Sequence, residues 1–321
     1  MKSTIDTFIR NGGDFNSTAL ELYAWQRRHN PEYDRFCGAT TVKHWTEIPA
    51  VPTTLFRDLA LTCFPVEDAS IVFHTSGTTS GRSGVVHLQD TDLYDLSART
   101  HAEACFGPLP RRGVSLAPAA KTSSLGHMCR RFVPDLVQVF DDNRGLDIEA
   151  AWSALAEAAD CGEAVFLPGT AFAWADLLDA PRAPLAMPPG SILMVTGGFK
   201  GRRRALAPRM LHQALASQFP AAAVVGEYGM SELASQLWAI PADSAFRPPP
   251  WMRVVAVDPW TGTPDTRGLL RFYDLANHQT VMAIETQDVG VILPDGNVRL
   301  EGRLEGAELR GCSLRVEDAR A

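Results

Sequence analysis

The chain has 321 residues, 45% hydrophobic and 21% charged, which matches folded globular proteins and excludes disordered or collagen-like chains. A formal net charge of −7 leaves no general basic surface, so nucleic acid is not an expected partner. The N-terminal MKSTIDTFIRNGGDF brings Asp6, Arg10 and two glycines before any apolar run long enough for a signal peptide or a membrane span, so the expectation is a cytoplasmic protein.

Residues 17–30 (STALELYAWQRRHN) place Leu20, Leu22, Tyr23 and Trp25 close to helical spacing after a Ser/Thr start and predict an amphipathic helix. IPAVPTTLFRDLAL then predicts an extended, Pro-marked entry to a short helix capped by Thr53 or Thr54. ASIVFHTSGTTSGRSGVVHLQD predicts a strand, a glycine, serine and threonine loop, and a second strand. DIEAAWSALAEAAD predicts a helix, AVFLPGT a strand and AFAWADLLDA a further helix. After the Pro-rich connector at residues 181–190 the alternation resumes with strand SILMVTGG, helix APRMLHQALASQF and strand AAVVGEYG. From Trp251 the chain turns to short strands (MRVVAVD, GLLRFYD, TVMAIE) divided by turns such as DPWTG and PDG. The expected fold is α/β: one domain over 1–321, with a first α/β half at 1–185, a second at 186–250 and a β-rich closing segment at 251–321.

Six cysteines lie at irregular intervals in a chain large enough to fold without staples, so disulfides are not expected and five of them read as buried thiols. Paired CxxC or HExxH spacing is missing, so the sequence does not support a transition-metal site.

The most informative segment is Thr75-Ser76-Gly77-Thr78-Thr79-Ser80-Gly81-Arg82-Ser83-Gly84, with six hydroxyl side chains and three glycines in ten positions after a strand. Glycines permit the conformations in which successive N–H groups converge on an anion, the hydroxyls add donors and Arg82 adds charge. A surface loop is the plain alternative, but connections between buried strands are normally short. No lysine follows Gly81 or Gly84, and no GxGxxG opens a helix, which excludes the P-loop and dinucleotide-binding patterns. His74 stands where a serine-hydrolase elbow needs glycine.

This loop resembles the phosphate-binding segment of the adenylate-forming superfamily, with Ser80 in place of a usual glycine and Arg82-Ser83 in place of a usual Pro-Lys. Further elements follow in that superfamily's order. Gly197-Gly198 resembles the glycine pair along adenine. Tyr228-Gly229-Met230-Ser231-Glu232 resembles the element whose tyrosine stacks on adenine, whose hydroxyl meets the α-phosphate and whose glutamate holds Mg²⁺. Asp288 resembles the ribose-binding aspartate, and Arg303 the arginine after it. The resemblance implies ATP and Mg²⁺ as cofactors and the fold of the superfamily's large N-terminal domain. The mobile C-terminal domain and its catalytic lysine are expected to be missing, since no lysine follows Lys200.

Within the superfamily the chain resembles the acyl-protein synthetases of bioluminescence, on VPTTLFRD, SSLGHM, GGFKGRRR, EYGMSELASQLW, PPPWMR, GLLRFYDLAN and GAELRGCSL. That resemblance implies a fatty acid substrate, Lys200 near the nucleotide, and acyl transfer to Cys312, whose thiolate Arg310 would favour. His127 is a candidate neighbour of the reacting carboxylate, or a structural histidine. An acyl-CoA reductase partner is implied by analogy alone. Two rivals stand beside this reading: a ligase that loads CoA or an acyl carrier protein, with Cys312 a bystander, and a non-catalytic nucleotide-binding subunit.

Overall fold

In the computed structural model the residues described are 1–75, 83–180, 182–197 and 207–304. They form two compact units: one of the described residues within 1–101, 230–236 and 247–304, the other of those within 102–229 and 237–246. The fold is mixed α/β, with a mainly antiparallel sheet in the first unit and a mainly parallel one in the second.

The helix predicted at 17–30 is Phe15–His29, and Asp14 rather than a Ser or Thr caps it, accepting from the Ser17 amide. Its buried stripe is Phe15, Ala19, Leu22, Tyr23 and Gln26; Leu20 and Trp25 are only half-buried. Gln26 shares the stripe because its amide is fully used: Nε2 donates to the Asn277 carbonyl at 2.9 Å and Oε1 accepts from the Met282 amide at 3.1 Å. Neither Thr53 nor Thr54 is a cap. Val51–Pro52 pairs in parallel with the strand Ala283–Ile292, and the turn Thr53–Arg57 that follows is a 3₁₀-helix with Pro52 at its N-cap position. Proline has no side-chain acceptor, and Thr53 falls inside the turn.

Ala283–Ile292 is the spine of the first unit. Its first half carries Val51–Pro52, its second half pairs with Val298–Arg303, and its other edge pairs with Arg267–Asp274, which in turn pairs with Met252–Val257. The strands predicted around the hydroxyl-rich loop are Ile71–His74 and Val85–Leu88, an antiparallel pair with His74 opposite Val85.

In the second unit the parallel strands run in the order Asp135–Gln138, Arg112–Ser115, Val165–Thr170, Ile192–Thr196, Ala223–Tyr228, and Leu237–Ala239 adds antiparallel to the last. The Pro-rich connector therefore links two neighbours of one sheet, with Phe166 paired to Ile192, instead of opening a separate half. One face of this sheet is an apolar core of Val114, Leu167, Leu193 and Val224 under Trp152, Trp174, Leu211 and Phe219 from the helices Ile148–Asp160, Ala171–Leu178 and Pro208–Gln218 and the residue after the last. The other face carries Phe166, which meets Phe132 of the helix Ser124–Phe132 edge-on at 5.9 Å. The helices Lys2–Asn11, Pro31–Cys37, Asp92–Phe106 and Ser124–Phe132 were not anticipated as elements.

Of the cysteines expected to be buried, Cys37, Cys63 and Cys129 are, whereas Cys105 and Cys161 are half-exposed; all five are free thiols. Cys161 closes a helix end, with Sγ 3.1 Å from the Ala158 carbonyl, where solvent reaches. Among the described residues no helix is long and apolar enough to cross a membrane.

Candidate functional site

The predicted site residues fall into two groups, one per unit, and a third group of Ser76, Gly77, Thr78, Thr79, Ser80, Gly81, Arg82, Gly198, Lys200 and Cys312 lies outside the described residues.

In the first unit the base of the hydroxyl-rich loop is a closed clasp. The Thr75 amide donates to the Gly84 carbonyl at 2.9 Å, and the Gly84 amide donates back to Thr75 Oγ1 at 2.9 Å. Gly84 is glycine for a steric reason: a Cβ there would lie 3.0 Å from Thr75 Oγ1 and 3.1 Å from the Phe56 carbonyl oxygen. Against this base sits the Met230–Gln236 turn. Ser231 Oγ donates to the His74 carbonyl at 3.0 Å, which ties two segments distant in sequence to each other. The turn is held from below by a buried carboxylate the sequence reading did not single out. Asp274 accepts from the Ala234 amide at 3.1 Å, Ser235 Oγ at 2.8 Å and the Ala276 amide at 3.0 Å. Asn277 Nδ2 donates to the Glu232 carbonyl at 2.7 Å.

Glu232 is thereby fixed in a nearly dry position, 7% exposed. Burial pushes its carboxyl up to about 7, against the pull of Arg303 and Arg57 and with the help of Asp288. Arg57, at the end of the 3₁₀ turn after Val51–Pro52, is a neighbour that sequence reasoning missed, because only the parallel pairing with Ala283–Ile292 brings that turn here. Asp288 and Arg303 are opposed across the Ala283–Ile292 and Val298–Arg303 strands. Arg303 Nε stands 4.0 Å from Asp288 Oδ1 and donates instead to Gln287 Oε1 at 3.2 Å. Ser231, Glu232, Asp288, Arg303 and the loop base thus belong to one unit.

The second unit holds Gly197, Tyr228 and Gly229 at the carboxyl ends of adjacent parallel strands, where ligands of open α/β sheets bind. Gly197 has φ +72°, a left-handed conformation that suits glycine. The Tyr228 ring meets Phe246 edge-on at 6.0 Å. Between them the sheet places a second buried carboxyl that was missed, Glu227, which accepts a hydrogen bond from Thr196 Oγ1. Burial raises it to about 7, and the Thr196 hydroxyl pulls the other way. His127 is half-buried on the helix Ser124–Phe132, its amide bonded to the Ser123 carbonyl at 2.9 Å.

The architecture is that of the large N-terminal domain of adenylate-forming enzymes. Among solved structures, ATP-bound MatB from Rhodopseudomonas palustris matches with a TM-score of 0.53 at 18% identity, over 74% of this chain and 49% of that one. O-Succinylbenzoate coenzyme A synthetase (MenE) from Bacillus subtilis, in complex with ATP and magnesium ion, matches with a TM-score of 0.54 at 15% identity, over 74% of this chain and 51% of that one. The open conformation of 2-hydroxyisobutyryl-CoA ligase, in complex with 2-HIB-AMP and CoA, matches with a TM-score of 0.64 at 15% identity, over 90% of this chain and 74% of that one. The chain spans about half the length of MatB and MenE, and at these identities the likeness is one of fold. No protein-family model and no curated protein matches the chain.

Proposed function

We propose that this chain is a single adenylation domain that activates a carboxylic acid with ATP and passes the acyl group to a thiol. The observation that carries this is the junction in the first unit, where the base of a hydroxyl- and glycine-rich loop is tied through Ser231 to a turn bearing one dry carboxylate, Glu232. A polyphosphate needs converging donors, and its Mg²⁺ needs one or two protein carboxylates beside phosphate and water oxygens. Glu232 fits that donor set, because burial has made its charge costly without a cation. Mg²⁺ bound there would neutralise phosphate charge as it develops.

In the first step a carboxylate oxygen of the acid forms a bond to the α-phosphorus while the bond from that phosphorus to the bridging oxygen breaks. Pyrophosphate leaves and acyl-adenylate remains. Thr75 to Gly81 with Arg82 hold the β- and γ-phosphates, Ser231 meets the α-phosphate, Asp288 accepts from the ribose hydroxyls, and Arg303 and Lys200 offset charge. Gly197, Gly198, Tyr228, Gly229 and Met230 receive the base. In the second step a thiolate forms a bond to the acyl carbon and AMP leaves with the electron pair of the broken C–O bond. Cys312 is the proposed acceptor on the strength of the GAELRGCSL resemblance, with a fatty acyl group, an acyl-CoA reductase as partner and the cytoplasm as location following from the same source.

A second reading, transfer to CoA or an acyl carrier protein, is favoured by the CoA ligases among the structural matches. The deciding experiment is acid-dependent exchange of labelled pyrophosphate into ATP across acids of graded length, followed by mass analysis of the acceptors. Exchange with labelled Cys312 supports the first reading, and exchange with acyl-CoA alone the second. ATP binding without exchange by any acid would leave only a nucleotide-binding subunit.

A further inference from the structure

The second face of the parallel sheet in the second unit carries Phe166, Ile192 and Met194, and among its polar residues Glu227 is the one buried carboxyl of the described parallel strands. The strand Ala223–Tyr228 alternates its side chains, so Tyr228 shares a face with Val224 of the apolar core, and Glu227 points to the opposite face. There Glu227 is opposite Trp238 in the antiparallel register and beside Thr196 in the parallel one. Trp238 is 1% exposed, its ring packs against Phe106 at 5.1 Å and Phe132 at 6.3 Å, and among the described residues its Nε1–H has no hydrogen-bond partner. Burial pushes up the Cys129 thiol of the covering helix, and the nearby Glu227 charge adds to it. Among the described residues the Glu227 carboxyl has one hydrogen bond, from Thr196.

A buried donor left bare and a carboxyl taken out of water are both unfavourable, and here, unlike at Trp152 on the core face, the two occur side by side. Two under-used polar groups on neighbouring strands, at the carboxyl ends of a parallel sheet, mark a place where a ligand's polar group completes the bonding. The ligand is not the adenine base. Tyr228, its proposed partner, is on the other face, which leaves the second reactant for Glu227.

We propose that Glu227, with Thr196 and Trp238, receives a hydrogen-bonding substituent on the acid, so that the acid this chain activates carries a hydroxyl, carbonyl or amide group along its chain instead of an unbroken hydrocarbon tail. This rests on the adenylation reading above and narrows its fatty-acyl form. Glu227 accepts from the substituent or, when protonated, donates to it, and the indole N–H donates to an acceptor on it. A tail of methylenes would satisfy neither group.

The test is pyrophosphate exchange by the full chain with length-matched pairs of acids, one member bearing a hydroxyl, oxo or amide group and the other unsubstituted. At least one substituted acid is expected to exceed its partner in kcat/KM by about tenfold or more, since a site built for a hydrogen bond rejects an analogue that lacks it. Glu227→Leu is expected to erase or invert that ratio, Glu227→Gln to retain most of it, and Trp238→Phe, which conserves the ring packing, to reduce it. Circular dichroism and AMP binding confirm that each variant is folded; should Glu227→Leu fail that check, the Gln and Phe variants still decide. Exchange that is equal for every pair, or a ratio unmoved by these substitutions, overturns the inference while leaving the adenylation reading intact. Absence of exchange with every acid tried overturns both.

Discussion

Replacing Asp274 by Asn tests the electrostatics of the turn that carries Ser231 and Glu232. Asp274 has no solvent exposure, and desolvation raises its carboxyl from 3.8 to about 6 even though Ser235 Oγ and the Ala234 and Ala276 amides all donate to it. A folded-state value above the unfolded one means that the folded form holds its proton longer. Stability from this group is therefore complete below about pH 4, declines as the pH rises toward 6, and stays at its lower value above that. The gap between 3.8 and about 6 corresponds to about 3 kcal/mol. Asn is neutral like the protonated acid and keeps one oxygen for Ser235 Oγ and the Ala276 amide, but its NH₂ cannot accept from the Ala234 amide that bonds Oδ2. Near pH 4 the variant is expected to be less stable than the wild type by about 1–3 kcal/mol for the lost Ala234 bond, and between pH 4 and pH 8 the difference is expected to shift by about 3 kcal/mol in the variant's favour. Paired urea denaturation curves at the two pH values measure this directly. Activity is expected to fall, because Asn releases the Ala234 donor and holds that of Ser235 less tightly than a carboxylate, which loosens the turn. A stability difference that is the same at both pH values, or that shifts against the variant as the pH rises, would refute the reasoning.

Glu232→Gln is expected to raise the Mg²⁺ concentration needed for half-maximal pyrophosphate exchange by about tenfold or more, with little change in folding, because the amide cannot offer a charged ligand; an unchanged Mg²⁺ titration removes the metal role from Glu232. Gly84→Ala forces a methyl group against the Phe56 carbonyl and Thr75 Oγ1, so it is expected to cost about 1–3 kcal/mol and to raise KM for ATP more than KM for the acid. Thermal melts and substrate titrations separate the two effects, and an unshifted KM for ATP would detach the loop base from the nucleotide. Cys312→Ser is expected to keep exchange and lose the stable acyl label on the chain; equal labelling of the variant removes Cys312 from the scheme.

What the sequence announced was whatever depends on neighbours in the chain. The strands Ile71–His74 and Val85–Leu88 were legible because apolar runs bounded by Gly, Ser and Thr define strand ends locally. The helix Ile148–Asp160 was legible for a similar reason, with Asp147 as its cap. The strand Arg112–Ser115 was not: RGVS has too little pattern of its own, and it is a strand because Asp135–Gln138 and Val165–Thr170 offer edges on either side. The same difference divides the site. Ser231, Glu232, Asp288 and Arg303 belong to short strings that can be matched one at a time, whereas Arg57 joins Glu232 only through a parallel pairing that spans the chain from Val51 to Ile284.

Glu227 shows why a buried carboxyl escapes pattern reading. In AAVVGEYG it is one polar letter at the end of an apolar strand, where a solvent-facing residue is the ordinary expectation. Its burial is imposed by Trp238, Cys129 and Thr196, three residues whose sequence positions carry no sign of one another. Since burying a carboxyl with one hydrogen bond is unfavourable unless something compensates, its retention beside an indole N–H that has no partner among the described residues points to a compensating group outside them, the role proposed above for the acid's substituent.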